Sequence, residues 1–169
     1  MKRGEPILEA ATKTFEPYRS LLFSIAYRML GSVMEAEDVV QEAFLRWQEA
    51  SGREIHVPKS YLSTIVTRLS IDRLRSAKAR REDYVGPWLP EPIATGEGVD
   101  AAGALDETLS MAFLVLLESL TPVERAVFLL REVFDYDYAE IASLVGKSED
   151  NCRQISPRAP VHGGPALPL

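Results

Sequence analysis

Residues 138–155 read Tyr-Ala-Glu-Ile-Ala-Ser-Leu-Val-Gly-Lys-Ser-Glu-Asp-Asn-Cys-Arg-Gln-Ile, the spacing of a helix-turn-helix. Ala142 is small where two helices would cross, and Gly146, four residues on, suits the left-handed conformation that ends a helix. Ser148 is placed to cap the next helix, with Glu149 and Asp150 favourable in its first turn. Ile141, Leu144, Val145, Cys152 and Ile155 then face inward. Asn151, Arg153 and Gln154 face out, where their side chains suit base edges or phosphates. Taken by itself the segment also fits an ordinary helical hairpin. The offset of Cys152 from Ala142 and Gly146 makes it an inward-facing small hydrophobe rather than a reactive thiol.

The rest of the chain carries helical periodicity and no convincing strand pattern. An apolar stripe runs through Tyr18–Leu30, and Gly31 ends it. Ser32 and Glu35 make a capping box for a helix over about Met34–Glu49, with Ala36, Val39, Val40, Ala43, Phe44 and Trp47 on one face. Ser51–Lys59 is a loop containing Gly52, Pro58 and His56, the last read as a plain loop histidine. A third helix over Ser60–Arg81 turns Leu62, Ile65, Val66 and Leu69 inward. Residues 82–104, rich in Pro and Gly, form a linker, although Trp88 and Leu89 suggest a docked rather than a wholly solvated segment. Helices resume at Leu105–Leu120. Thr121-Pro122-Val123-Glu124 then supplies a cap, a proline at the first position and a capping box. Its helix turns Val123, Ala126, Val127 and Leu130 inward. The expected fold is all-α, with two small helical domains, 1–81 and 105–156, joined by the linker and followed by an irregular tail, 157–169.

The single Cys excludes an internal disulfide and a Cys-rich zinc framework. No apolar run reaches the length of a membrane span, Met111–Leu117 being the longest candidate, and the start lacks a secretory signal. The expected location is cytoplasmic. A net charge of −6 is unpromising for a nucleic-acid binder, but the distribution is uneven. Arg53–Arg81 holds eight basic residues against Glu54 and Asp72, whereas Glu82–Asp150 holds fifteen acids against three bases. A nucleic-acid contact confined to the basic block follows. No nucleophile elbow, phosphate-binding loop, zinc spacing or Ser-His-Asp set is present, so no catalytic residue, metal or cofactor is expected.

Three segments in order carry a resemblance to a known family: Ala36-Glu37-Asp38-Val39-Val40-Gln41-Glu42-Ala43-Phe44-Leu45-Arg46-Trp47, then Tyr61-Leu62 through Ile71-Asp72-Arg73-Leu74-Arg75, and Leu120-Thr121-Pro122-Val123-Glu124-Arg125 leading into the helix-turn-helix. Together they resemble bacterial RNA polymerase sigma factors of the extracytoplasmic-function group. The stretch Tyr84–Pro92 is similar to a narrower, sigma-J-like subgroup, whose members normally carry an extra carboxy-terminal SnoaL-like domain that this chain does not reach. The resemblance implies a transcription initiation factor, not an enzyme, that binds core RNA polymerase and promoter DNA, both double- and single-stranded. An anti-sigma factor is a possible further partner.

The resemblance also implies residue roles. Glu35, Glu37, Asp38, Gln41, Glu42 and Arg46 would dock on the polymerase clamp helices, whereas charge alone favours reading the acids as a solvated face. Arg53, Lys59, Ser60, Tyr61, Thr64, Thr67, Arg68, Asp72 and Arg75 would hold the single-stranded minus-ten element. On the residues themselves, Tyr61 is open between base stacking and core, and Asp72 suits a pair with Arg68 or Arg75. Trp88, Leu89 and Pro90 would contact polymerase as the linker passes through it. Lys147, Ser148, Asn151, Arg153 and Gln154 would read the duplex minus-thirty-five element. One departure stands out: Pro157 and Pro160 stop the recognition helix early, as a frame change or truncation of a longer chain would. The alternative reading is therefore a shortened sigma-like protein that binds polymerase without productive promoter selection.

Overall fold

The computed structural model describes residues 5–50, 52–81 and 103–155. Among these, seven helices and no strand occur: α1 (Glu5–Leu30), α2 (Val33–Glu49), α3 (Pro58–Arg81), α4 (Gly103–Ser119), α5 (Pro122–Glu132), α6 (Tyr138–Val145) and α7 (Glu149–Ile155). None of them is long and apolar enough to cross a membrane. The linker residues Trp88, Leu89 and Pro90, and the tail 157–169, lie outside the described residues.

The first helix is longer than its sequence pattern suggests. Pro17 removes one backbone donor and normally stops a helix, which is why the apolar stripe is recognisable only from Tyr18. Yet α1 runs through Pro17, and its first half is anchored at Ala11 and Phe15, both buried. Phe15 meets Phe44 edge to face with ring centroids 5.0 Å apart. The Trp47 indole N–H donates to the Ala11 carbonyl at 3.0 Å. Tertiary packing outweighs local propensity here.

The caps form as their chemistry dictates. Ser32 Oγ accepts the Glu35 N–H at the start of α2. Thr121 and Glu124 close a full capping box on α5, and Asp137 and Glu140 do the same on α6, a box the sequence reading did not identify. Gly146 ends α6 at φ +70°, and Ser148 Oγ accepts the Asn151 N–H at the start of α7. The inward set of the helix-turn-helix is as expected: Ile141, Leu144 and Cys152 are fully buried.

Helices α1–α3 form one bundle and α4–α7 a second, but the two share one continuous apolar cluster. Helix α5 touches α1, α3, α6 and α7. It is accordingly buried almost all round, with Arg125, Ala126, Val127, Phe128, Leu129 and Leu130 inside rather than the single stripe its sequence suggests. Helix α6 lies against α3.

Arg125 sits where the bundles meet, 6% exposed. Its Nε donates to the Leu117 carbonyl at 2.9 Å and its Nη1 to the Met29 carbonyl at 2.9 Å. Both carbonyls belong to the last turns of their helices, where the helix dipole favours a cation; that of Leu117 also takes the Leu120 N–H at 3.3 Å. One guanidinium thus closes the carboxyl ends of α4 and α1 together. We expect Arg125→Met to lower the unfolding free energy in urea by about 2–3 kcal/mol, the worth of the hydrogen bonds from a buried charged group. Arg125→Lys, which lacks the planar fork, should recover less than half of that. A loss below about 0.5 kcal/mol in Arg125→Met would show that the carbonyls find other partners.

Burial and the Glu149 carboxylate push the Cys152 thiol above its ordinary range. Native protein should therefore resist iodoacetamide at neutral pH and react fully once unfolded. Alkylation at the same rate in both states would contradict the packing of α7.

Candidate functional site

The residues singled out in the sequence fall on three surfaces. The first is the outer side of α2. Its inner side, Ala36, Val39, Val40, Ala43 and Trp47, is buried against α1 and α3, so helical spacing leaves Glu35, Glu37, Asp38, Gln41 and Arg46 exposed and Glu42 half-buried. Most of these acids already have cationic neighbours. Glu37 meets Arg19 of α1 at 3.2 Å, Asp38 meets Arg73 of α3 at 3.8 Å, and Glu42 pairs with Arg46 one turn on. Arg73 also donates to the Glu35 backbone carbonyl at 3.4 Å, tying the basic helix to the amino-terminal turn of the acidic one. Such exposed pairs contribute little stability each. Their effect is to hold the carboxylates in place while leaving them open to exchange partners.

The second surface is α3 with the loop before it, and the sequence assignments divide here. Arg53, Lys59, Arg68, Asp72 and Arg75 are exposed, as are Lys78 and Arg80. Ser60, Tyr61 and Thr64 are half-buried. Tyr61 leans on Trp47 with ring centroids 5.9 Å apart, so in this arrangement its ring belongs to the core packing. The Thr64 hydroxyl donates to the Ser60 carbonyl at 2.8 Å. Asp72 pairs with neither Arg68 nor Arg75 among the described contacts; Arg68 reaches across to α6 instead.

Thr67 requires a correction. It is fully buried, so its expected contact with DNA is not available in this arrangement. Ser63 and Ser70 are fully buried as well, and the second bundle reaches α3 at Ser63. The Ser63 hydroxyl lies 2.8 Å from the Tyr136 hydroxyl. Tyr136 reaches it because Asp135, left-handed at φ 57°, turns the chain sharply between α5 and α6, a conformation Asp tolerates better than most residues. Burial holds the Tyr136 phenol above its ordinary pKa, partly offset by the Ser63 hydrogen bond. The Lys59 ammonium sits 5.3 Å from the centre of the same ring.

The third surface is the outer side of the helix-turn-helix. Lys147, Ser148, Asn151, Arg153 and Gln154 are all exposed. Arg153 is nonetheless held in place, paired with Glu149 and stacked over the Tyr138 ring at 4.9 Å. Arg131 stacks over that ring at 4.6 Å as well, so Tyr138 organises two cations beside the turn. Periodicity gives no hint of this shared ring, although Tyr138 at the first position of α6 and Arg153 in the last turn of α7 are both in the motif. Among the described residues, no group of His, Cys, Asp and Glu is placed to hold a metal ion.

An acidic helix, a basic helix and a helix-turn-helix in that order also define the similarity to known proteins. Residues 14–80 match Sigma-70 region 2 and residues 110–155 match Sigma-70 region 4. The chain is 46% identical over 148 residues to the ECF RNA polymerase sigma factor SigJ of Mycobacterium tuberculosis, covering 86% of this chain and 47% of that protein. It is 31% identical over 153 residues to the ECF RNA polymerase sigma factor SigW of Bacillus subtilis, covering 86% of this chain and 78% of that one. The crystal structure of Mycobacterium tuberculosis SigJ superposes with a TM-score of 0.63 at 39% identity, over 88% of this chain and 51% of that one. The chain spans about half the length of SigJ and, at 54%, of the probable sigma factor SigI. By these two regions and its identity to SigW, the chain belongs to the extracytoplasmic-function sigma factors of RNA polymerase.

Proposed function

We propose that this chain is a transcription initiation factor that binds core RNA polymerase and directs it to promoters, with α2 as the dock, α3 and its preceding loop as the reader of the melted minus-ten element, and the helix-turn-helix as the reader of the duplex minus-thirty-five element. The observation that carries the reading is the pairing of α2 with α3. An exposed acidic face is fixed by Arg73 to a helix that also exposes Arg75, Lys78 and Arg80. Acids on α2 suit a basic coil on polymerase, where complementary charge sets orientation and association rate. The cations of α3 suit a phosphate backbone, which supplies affinity without sequence. Bases flipped from a melted duplex need polar edges close by, and Ser60 and Thr64 lie beside that row. A polymerase partner places the chain in the cytoplasm. An anti-sigma factor, if it exists, would have to cover the acidic face of α2 or the outer side of α7 to compete.

The alternative, a shortened sigma-like protein that binds polymerase without selecting a promoter, draws on Pro157 and Pro160, which follow α7 in the sequence. Pull-down with core polymerase followed by run-off transcription separates the two. Promoter-specific transcripts support the first, association without transcripts supports the second, and no association removes both.

Two variants test the assigned surfaces. Asp38→Lys with Glu42→Lys breaks the pairs with Arg73 and Arg46 and reverses the face, and should weaken polymerase association at least tenfold while leaving the far-ultraviolet helical spectrum unchanged. Unaltered association would rule out α2 as the dock. Arg75→Ala removes one exposed cation from α3, and the slope of log affinity against log salt for promoter DNA should flatten by about 0.7–0.9. An unchanged slope would mean that Arg75 touches no phosphate.

A further inference from the structure

We propose that Tyr138 is a positioning residue of the duplex reader: its ring gathers the Arg131 and Arg153 guanidiniums into a two-armed clamp for the phosphates of duplex DNA. The proposal rests on the reading of the helix-turn-helix as that reader. It adds Arg131 to the contact set and names the group that sets the geometry of both cations.

The first observation is convergence. Tyr138 opens α6, Arg131 lies in the last turn of α5 and Arg153 in the last turn of α7. Their head groups meet on one ring, with the Arg131 Cζ 4.6 Å and the Arg153 Cζ 4.9 Å from its centre. At such distances the ring quadrupole attracts a guanidinium. Each cation also has one further anchor. Arg131 donates from Nη1 to the Tyr136 carbonyl at 3.2 Å, and Arg153 pairs with Glu149. A free arginine samples many rotamers and loses that freedom when it binds. Here the ring and one acceptor per head group restrict both side chains beforehand.

The second observation is charge. Two cations on one ring repel each other, and only one of them is matched by a carboxylate. Arg153 has Glu149, whereas the ion pairs among the described residues give Arg131 none. An approaching phosphate removes the repulsion, because one anion attracts both guanidiniums.

The third observation is position. Arg153 is exposed on α7, adjacent in sequence to Gln154 and two residues from Asn151, both exposed; Arg131 and Tyr138 are half-buried behind it. Asn151 and Gln154 suit base edges. Cations on phosphate carry no sequence information, but they fix the register in which such side chains meet their bases. Only the ring face takes part in this arrangement, so the clamp requires an aromatic side chain at 138 and not its hydroxyl.

Anisotropy titration of the full chain against a fluorescein-labelled duplex of mixed sequence tests this. Tyr138→Leu should lower the affinity about five- to tenfold, the worth of two cation–ring contacts. Tyr138→Phe, which keeps the ring, should stay within about twofold of the parent. Placed in a background of Arg131→Gln with Arg153→Gln, Tyr138→Leu should cost less than about twofold, because the ring then has nothing to hold. A ring needed only for folding would cost the same in both backgrounds. The spectroscopic signature is the ring-current shift of the Arg131 and Arg153 side-chain Nε–H resonances, present in the parent and Tyr138→Phe and lost in Tyr138→Leu. Tyr138→Met takes the place of Tyr138→Leu if the latter does not fold, with buried Cys152 resisting iodoacetamide as the check on folding. Equal cost of Tyr138→Leu in both backgrounds, a Tyr138→Phe variant as weak as Tyr138→Leu, or unshifted arginine resonances in the parent would each overturn the clamp while leaving the helix-turn-helix as the duplex reader. Parent protein that fails to bind the duplex would sink that reading, and the clamp with it.

Discussion

The arrangement of this molecule depends on where arginines find carbonyl oxygens at the ends of helices. A short helix leaves its last carbonyls without donors, and a bundle of short helices accumulates such ends. Arg125 answers two of them, at Met29 of α1 and Leu117 of α4. Arg68 answers two more, at Ser143 and Leu144 of α6. Both side chains cross between the two bundles. The apolar cluster supplies most of the attraction, but it is non-directional. The guanidinium forks fix which helix end meets which helix, and so decide that α6 rests on α3 and α5 lies between the bundles. The two differ in depth. Arg125 is sealed at the centre of the seam, whereas Arg68 is exposed at its margin and can be released without exposing a core.

This difference bears on function. A two-part promoter reader must hold its parts together when free and separate them enough to span two DNA elements. A wholly apolar seam would resist that separation, and a wholly polar one would not form. The seam has both characters. Helix α5 is gripped by apolar contacts on every side, while the α3–α6 contact carries hydroxyls, a phenol, an ammonium and a guanidinium. The α3–α6 contact is therefore the part of the seam that competing polar groups are best equipped to displace.

The local structure was largely readable from the residues. Gly146 with Ser148 marks the turn, Thr121 with Pro122 and Glu124 marks the start of α5, and the spacing of Val39, Val40, Ala43 and Trp47 marks the buried side of α2. These are signals within a few residues, set by backbone geometry and capping chemistry. What escaped the sequence is long-range. Helix α1 continues through Pro17 because Trp47 and Phe44 pack on its first half, and nothing near Pro17 announces this. The burial of α5 on all sides reflects its position between bundles, not its own pattern. The burial of Thr67, placed from sequence in the DNA-facing set, is of the same kind: position on a helix indicates which side a residue occupies, not what packs on that side.

The charge pattern shows the same limit in a more useful form. A block of cations at 53–81 beside acids at 35–49 looks from sequence like two independent surfaces, one for nucleic acid and one for protein. The structure joins them through Arg73, which touches Asp38 and the Glu35 carbonyl, and through Arg19 on Glu37. A basic partner that took Asp38 into its own ion pair would free the Arg73 head group on α3. The sign of that coupling follows from the pairing alone: any partner that neutralises the α2 acids in place of Arg73 strengthens the field that α3 offers to phosphate.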